Sequence, residues 1–104
     1  MNFDREKFSP IVSMEGPFTN GDKELQEKVS GILKRMSFEI PLRVHVGIPR
    51  DILSVRFIKD EKIIASFCLG SPLLLINFSE ETLKKNIIAE IKEIKTKGVE
   101  IWKS

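Results

Sequence analysis

Between Asp22 and about Phe38 the apolar residues Leu25, Val29, Ile32, Leu33 and Met36 follow one another at spacings of four, three, one and three. At about 100° per residue they fall in one arc, the stripe of an amphipathic helix, and Asn20 or Asp22 can cap its start. Gly31 falls on the opposite face, costing about 1 kcal/mol relative to Ala without breaking the helix. Pro41 ends this pattern, and the period changes to two. Leu42, Val44, Val46 and Ile48 alternate with Arg43, His45 and Gly47, as in a strand with one buried face. After the Pro49-Arg50-Asp51 turn, Leu53, Val55 and Phe57 alternate with Ser54 and Arg56. Beyond Lys59-Asp60-Glu61-Lys62, the set Ile63, Ala65, Phe67 and Leu69 alternates with Ile64, Ser66 and Cys68. Short turns between alternating segments predict an antiparallel meander.

Gly70-Ser71-Pro72 interrupts the alternation, and Leu73-Leu74-Leu75-Ile76 is apolar at every position, which predicts either a strand buried on both faces or a short core helix. Ser79 is then placed to cap a last helix with the stripe Leu83, Ile87, Ile88, Ile91 and Ile94. Glu80 and Glu81 at its start and Lys95 and Lys97 near its end complement the helix dipole, and Gly98 stops it. Val99 to Trp102 either adds a short final strand or packs the tail back. Residues 1–21, with Pro10, Gly16, Pro17 and Asn20-Gly21, read as an N-terminal arm. In it Phe8, Val12 and Met14 can line one side of a short edge strand that Pro10 keeps from the centre of a sheet. The expected fold is α+β: a helix, an antiparallel β-meander of three to four strands, and a helix, forming a single domain over 22–104 around one core.

Composition agrees with one globular unit. Of the 104 residues 41% are hydrophobic and 31% charged, and no apolar run approaches the ~18 residues of a membrane span. No apolar stretch follows the charged start, so the expected address is the cytoplasm, without membrane association. Ile, Lys and Glu dominate and there is one Gln, a vocabulary of thermophiles that low-GC genomes share. The single Cys68 cannot form an internal disulfide, and one His with one Cys cannot complete a four-ligand zinc site of nitrogen and sulfur. Charge is nearly balanced overall, but residues 31–62 carry seven basic and four acidic side chains, against four and six in residues 1–30.

Little in the chain suggests catalysis. His45 is the only imidazole, so any Ser-His-Asp or Cys-His mechanism must use it, and a lone His on the polar side of a strand is usually a surface residue. Cys68 on an alternating strand is expected to be a small buried apolar group. No phosphate-binding Gly-rich loop and no nucleophile elbow is present. The basic middle carries more: Arg43 and His45 share one face of their strand, and Arg56 joins them if the next strand pairs as a hairpin. Such a patch can contact phosphates. It can equally be a solvated face whose charges prevent aggregation. It lacks the exposed aromatics of single-strand binders.

Asp22 to Lys97 resembles, element by element, the minimal core of gluzin-type, zincin-like metallopeptidases, where a helix leads into an antiparallel meander and then into a helix bearing H-E-x-x-H. Pro41-Leu42-Arg43-Val44-His45-Val46 is similar to that family's first strand, Ser71-Pro72-Leu73-Leu74 to its Gly-Leu-Leu segment, and Thr82-Leu83 to the opening of its helix. In that register the motif falls on Ala89-Glu90-Ile91-Lys92-Glu93, where only Glu90 is kept. Two His at i and i+4 would hold zinc and the Glu between them would act as base. Ala89 cannot ligate and Glu93 is a lone carboxylate. The resemblance therefore implies a peptidase-like shape without cofactor, metal or catalysis, with Ala89, Glu90 and Glu93 as vestigial active-site positions.

The same order also resembles double-stranded RNA-binding domains, with Lys84-Lys85 similar to their phosphate-gripping lysines. That family's Gly-rich lead into the helix is absent, and Leu73 to Phe78 is an added apolar segment. The function expected is thus a non-enzymatic binding or interaction domain, whose partner is another protein or a second copy. The alternative is a nucleic-acid-binding module using Arg43, His45, Arg56, Lys84 and Lys85.

Overall fold

Alternation of buried and exposed side chains is what builds the sheet. A computed structural model describes residues 7–16, 20–94, 96 and 100–102 of the chain. Its elements are β1 (Ile11–Met14), α1 (Asn20–Lys34), β2 (Arg43–Gly47), a 3₁₀ turn (Pro49–Asp51), β3 (Leu53–Lys59), β4 (Lys62–Gly70), α2 (Pro72–Leu75) and α3 (Glu80–Glu93). The four strands form one sheet in the order β1-β2-β3-β4. The meander β2-β3-β4 is antiparallel, and β1 pairs parallel to β2. The class is α+β, with one difference in element order: a strand precedes the first helix. Helix α1 returns the chain before β2 begins, so β1 and β2 run the same way, as a strand–helix–strand crossover requires. The described part of the arm thus supplies a sheet edge.

The inward residues Val44, Val46, Leu53, Val55 and Phe57 are fully buried, and α1 contributes Leu25, Val29, Ile32 and Leu33 to the same core. Phe57 meets Phe38 edge-on at 5.6 Å and tilts against Phe67 at 6.0 Å. Leu83, Ile87 and Ile91 of α3 complete this core, with Ile88 and Ile94 packed at its margin. All three helices therefore lie on one side of the sheet. Helix α1 stops at Lys34, earlier than its apolar spacing predicts. Bonds from Arg35 N to Ile32 O and from Met36 N to Leu33 O tighten the end. Phe38 then leaves the helix to exchange two backbone bonds with Phe8, at 2.9 and 2.8 Å.

Ser79 caps α3, its hydroxyl accepting from Thr82 N at 3.1 Å. The helix ends at Glu93, ahead of Gly98, which with Lys95 and Lys97 lies outside the described residues, as do the side chain of Asn20 and residue Val99. The tail packs back: Glu39 N donates to Ile101 O, Ile101 is buried, and Trp102 stacks edge-on with Phe38.

Two apolar expectations change. The β3–β4 ladder pairs Phe57 with Ala65 but Ile58 with Ile63, so a bulge leaves Ile64 between them. One extra residue reverses which side later side chains face. Ile64 is buried with Ala65, while Ile63, expected in the core, is 47% exposed. The run Leu73 to Ile76 is neither a doubly buried strand nor a core helix. Pro72 opens the single turn α2, which buries only Leu75 and leaves Leu73 83% and Leu74 68% exposed. Among the described residues no helix is long and apolar enough to cross a membrane.

Candidate binding face

With the helices on one side, the other side of the sheet is uncovered, and strand register sets what stands there. Ser13 pairs with His45, His45 with Arg56, and Arg56 with Ser66, a polar row across all four strands. Beside it runs Ile11, Arg43, Ile58 and Ile63, and on the other side Gly47, Ser54 and Cys68. Arg43, His45 and Arg56 are thus brought together: His45 and Arg56 are direct cross-strand partners and Arg43 is the diagonal neighbour of Arg56, about 7–8 Å between Cα atoms in such pairs. None of the three rows carries a Phe, Tyr or Trp side chain.

Glu15, just past the end of β1, completes the group. Its backbone N–H donates to Val46 O at 2.9 Å, which extends the pairing with β2 by one step. Its side chain runs over Gly47 and sets Oε1 3.3 Å from His45 Nδ1. Among the described residues Arg43 and Arg56 have no carboxylate within 4 Å, since the ion pairs are Lys7–Glu39, Arg35–Glu80 and His45–Glu15. Both guanidinium groups are available to a ligand.

A groove of about 690 Å³ opens beside this row, lined by Ile11, Pro41, Leu42, Arg43, His45, Ile58, Lys59, Asp60 and Glu61. Asp60 and Glu61, with φ of 50° and 65°, form the two-residue turn that joins β3 to β4 at its far end. Positive φ at both positions gives the twist that matches the two strands.

The remaining sequence-predicted residues lie elsewhere. Lys84 and Lys85 are exposed on α3, in the helical layer across the sheet from Arg43 and Arg56, so the five basic residues do not form one patch. Ala89 and Glu93 are exposed and Glu90 is half-buried on the same helix, on the side of the sheet away from His45. Among the described residues no three His, Cys, Asp or Glu side chains come together in a way that could hold a metal ion. Cys68, expected to be buried, is exposed on the open face with its Sγ 3.5 Å from Ser54 Oγ. It sits out of phase with Phe67, and among the described residues no helix covers that face.

Glu15 is the residue that sequence reasoning missed. The signal was present: Val12 and Met14 on one side of a strand put Ile11, Ser13 and Glu15 on the other. What could not be read was the parallel register that sets Glu15 beside Gly47. No known family, curated protein or solved structure matches the chain.

Proposed function

We propose that this domain is a non-enzymatic binding module whose uncovered sheet face is the binding surface. The observation that carries it is the convergence of Arg43, His45 and Arg56 on that face, with both guanidinium groups free of carboxylate partners among the described residues. The exposed Ile11 and Ile63 in the neighbouring row add apolar area, so the face suits a partner with both apolar and acidic groups. The gluzin resemblance supports the non-enzymatic part of this reading. Of its motif only Glu90 is present, and Ala89 and Glu93 cannot replace two imidazoles. On this view the domain is a zincin-like core that has kept a shape and lost a catalyst.

Two unpaired arginines also favour a second reading, in which the partner is a nucleic acid gripped by its phosphates. The lack of Phe, Tyr and Trp in the three rows weighs against base stacking, and the distance of Lys84 and Lys85 from the arginines limits the number of phosphates neutralised.

A photo-crosslinking amino acid placed at Ser66, on the open face, or at Asn86, on α3, separates these readings in the source cell. Adducts from Ser66 and not from Asn86 are expected, with a mass that nuclease treatment leaves unchanged. Adducts from Asn86 alone would overturn the proposal, and nuclease-sensitive adducts from Ser66 would put nucleic acid first.

A further inference from the structure

The groove beside Arg43 is basic toward its inner end, apolar beside Arg43 in its middle, and charged again, with a net negative sign, at its outer end. At the inner end stand His45 and, one strand over, Arg56; next come Arg43 and Ile58, flanked by Ile11; at the outer end are Lys59 and the turn carboxylates Asp60 and Glu61. A volume of about 690 Å³ falls within the range of small-molecule sites, about 300–1,000 Å³. We infer that the groove binds a small organic anion, a phosphate monoester or a carboxylate with an apolar body, lying along β2 and β3. This deepens the sheet-face reading and rests on it.

Charge complementarity selects that ligand and its direction. The anionic end sits beside His45 at Arg43, with Arg56 as a second guanidinium, and hydrogen bonds to these two charged donors are stronger than neutral ones. Glu15 Oε1 stands 3.3 Å from His45 Nδ1, and His45 lines the inner end of the groove. The apolar body covers Ile58 and the 62% exposed Ile11. At the outer end Asp60 and Glu61 stand against the single ammonium of Lys59, a net negative charge that disfavours a second anionic group there, so a ligand anionic at one end is favoured over a polyanion that runs the length of the groove.

The test is an amide chemical-shift titration of the full chain with phenyl phosphate and with benzoate. Inorganic phosphate, phenol and a twelve-nucleotide single strand serve as comparison probes. Saturable shifts at Leu42 to His45 and Arg56 to Ile58 are expected for phenyl phosphate or benzoate, with affinity about tenfold or more above inorganic phosphate and phenol. Arg43→Gln and Arg56→Gln should each weaken that binding about tenfold, the worth of a hydrogen bond to a charged group. Ile11→Ser should weaken phenyl phosphate and leave inorganic phosphate unchanged. All three positions lie on the uncovered face, and the dispersion of the amide spectrum verifies that each variant is folded. Equal affinity for inorganic and phenyl phosphate, or shifts centred on Lys84 and Lys85, would overturn the inference. If the single strand moves the sheet-face resonances and neither organic anion does, the inference falls while the sheet-face reading stands.

Discussion

Glu15 lies across Gly47: a Cβ built on that glycine would stand 3.2 Å from Glu15 Oε2 and 3.5 Å from Glu15 Cβ. The first contact is closer than side chains normally tolerate, but it is with the flexible end of the carboxylate. Gly47→Ala should therefore displace the Glu15 carboxylate from His45 without unfolding the strand. The pair is partly exposed, so its loss should change stability by no more than about 1 kcal/mol. Imidazole nitrogen NMR should show the same change in Gly47→Ala as in Glu15→Gln. An unaltered His45 spectrum in Gly47→Ala would mean that Gly47 does not position this pair.

The β3–β4 turn offers a gain in stability. Asp60 and Glu61 both have positive φ, a conformation that places Cβ too close to the following carbonyl oxygen and that glycine adopts freely. Glu61→Gly should stabilise the domain by about 1 kcal/mol, the order of that steric cost. Urea unfolding measures it, and a loss of stability would show that Glu61 makes a contact worth more than the strain.

Helix α2 separates neighbouring leucines. Leu75 is buried and Leu73 is 83% exposed, so Leu75→Ala should cost about 2–5 kcal/mol and Leu73→Ser no more than about 0.5 kcal/mol. Thermal unfolding of the two variants checks the orientation of this turn. Comparable losses would mean that Leu73 is covered in solution.

On α3 the contrast is between Glu90 and Ile91. Glu90 is half-buried and Ile91 buried, so Glu90→Gln should stay within about 0.5 kcal/mol while Ile91→Ala costs about 2–5 kcal/mol. The reverse order in urea unfolding would rotate the helix and remove the geometric basis for treating the flank with Ala89, Glu90 and Glu93 as a vestigial active-site side.

One turn apart on α1, Gln26 and Ser30 are buried, and among the described residues Gln26 Oε1 and Ser30 Oγ have no hydrogen-bond partner. A buried hydroxyl without a partner opposes folding, and alanine is the better helix former. Ser30→Ala should raise stability by about 1 kcal/mol. A measured loss in denaturant unfolding would reveal a partner for the hydroxyl in solution.

Periodicity alone determined the two long helices, α1 and α3, and the meander, because burial on one face dictates a repeat of 3.6 or 2 that local sequence carries. It also put Arg43 and His45 on the polar side of β2, and the expected hairpin brought Arg56 to them. Four features needed the tertiary structure. The parallel pairing of β1 depends on where α1 returns the chain, so neither Glu15 nor its place over Gly47 was legible. The bulge at Ile64 inserts one residue, which exchanges Ile63 for Ile64 without altering the alternation in sequence. The four consecutive apolar residues of Leu73 to Ile76 have no period, so only packing decided that Leu75 alone enters the core. Cys68 and the separation of Lys84 and Lys85 from the arginines follow from a single fact of the same kind: all three helices pack on one side. A strand's alternation states that its two faces differ, whereas the element that covers one of them comes from distant parts of the chain.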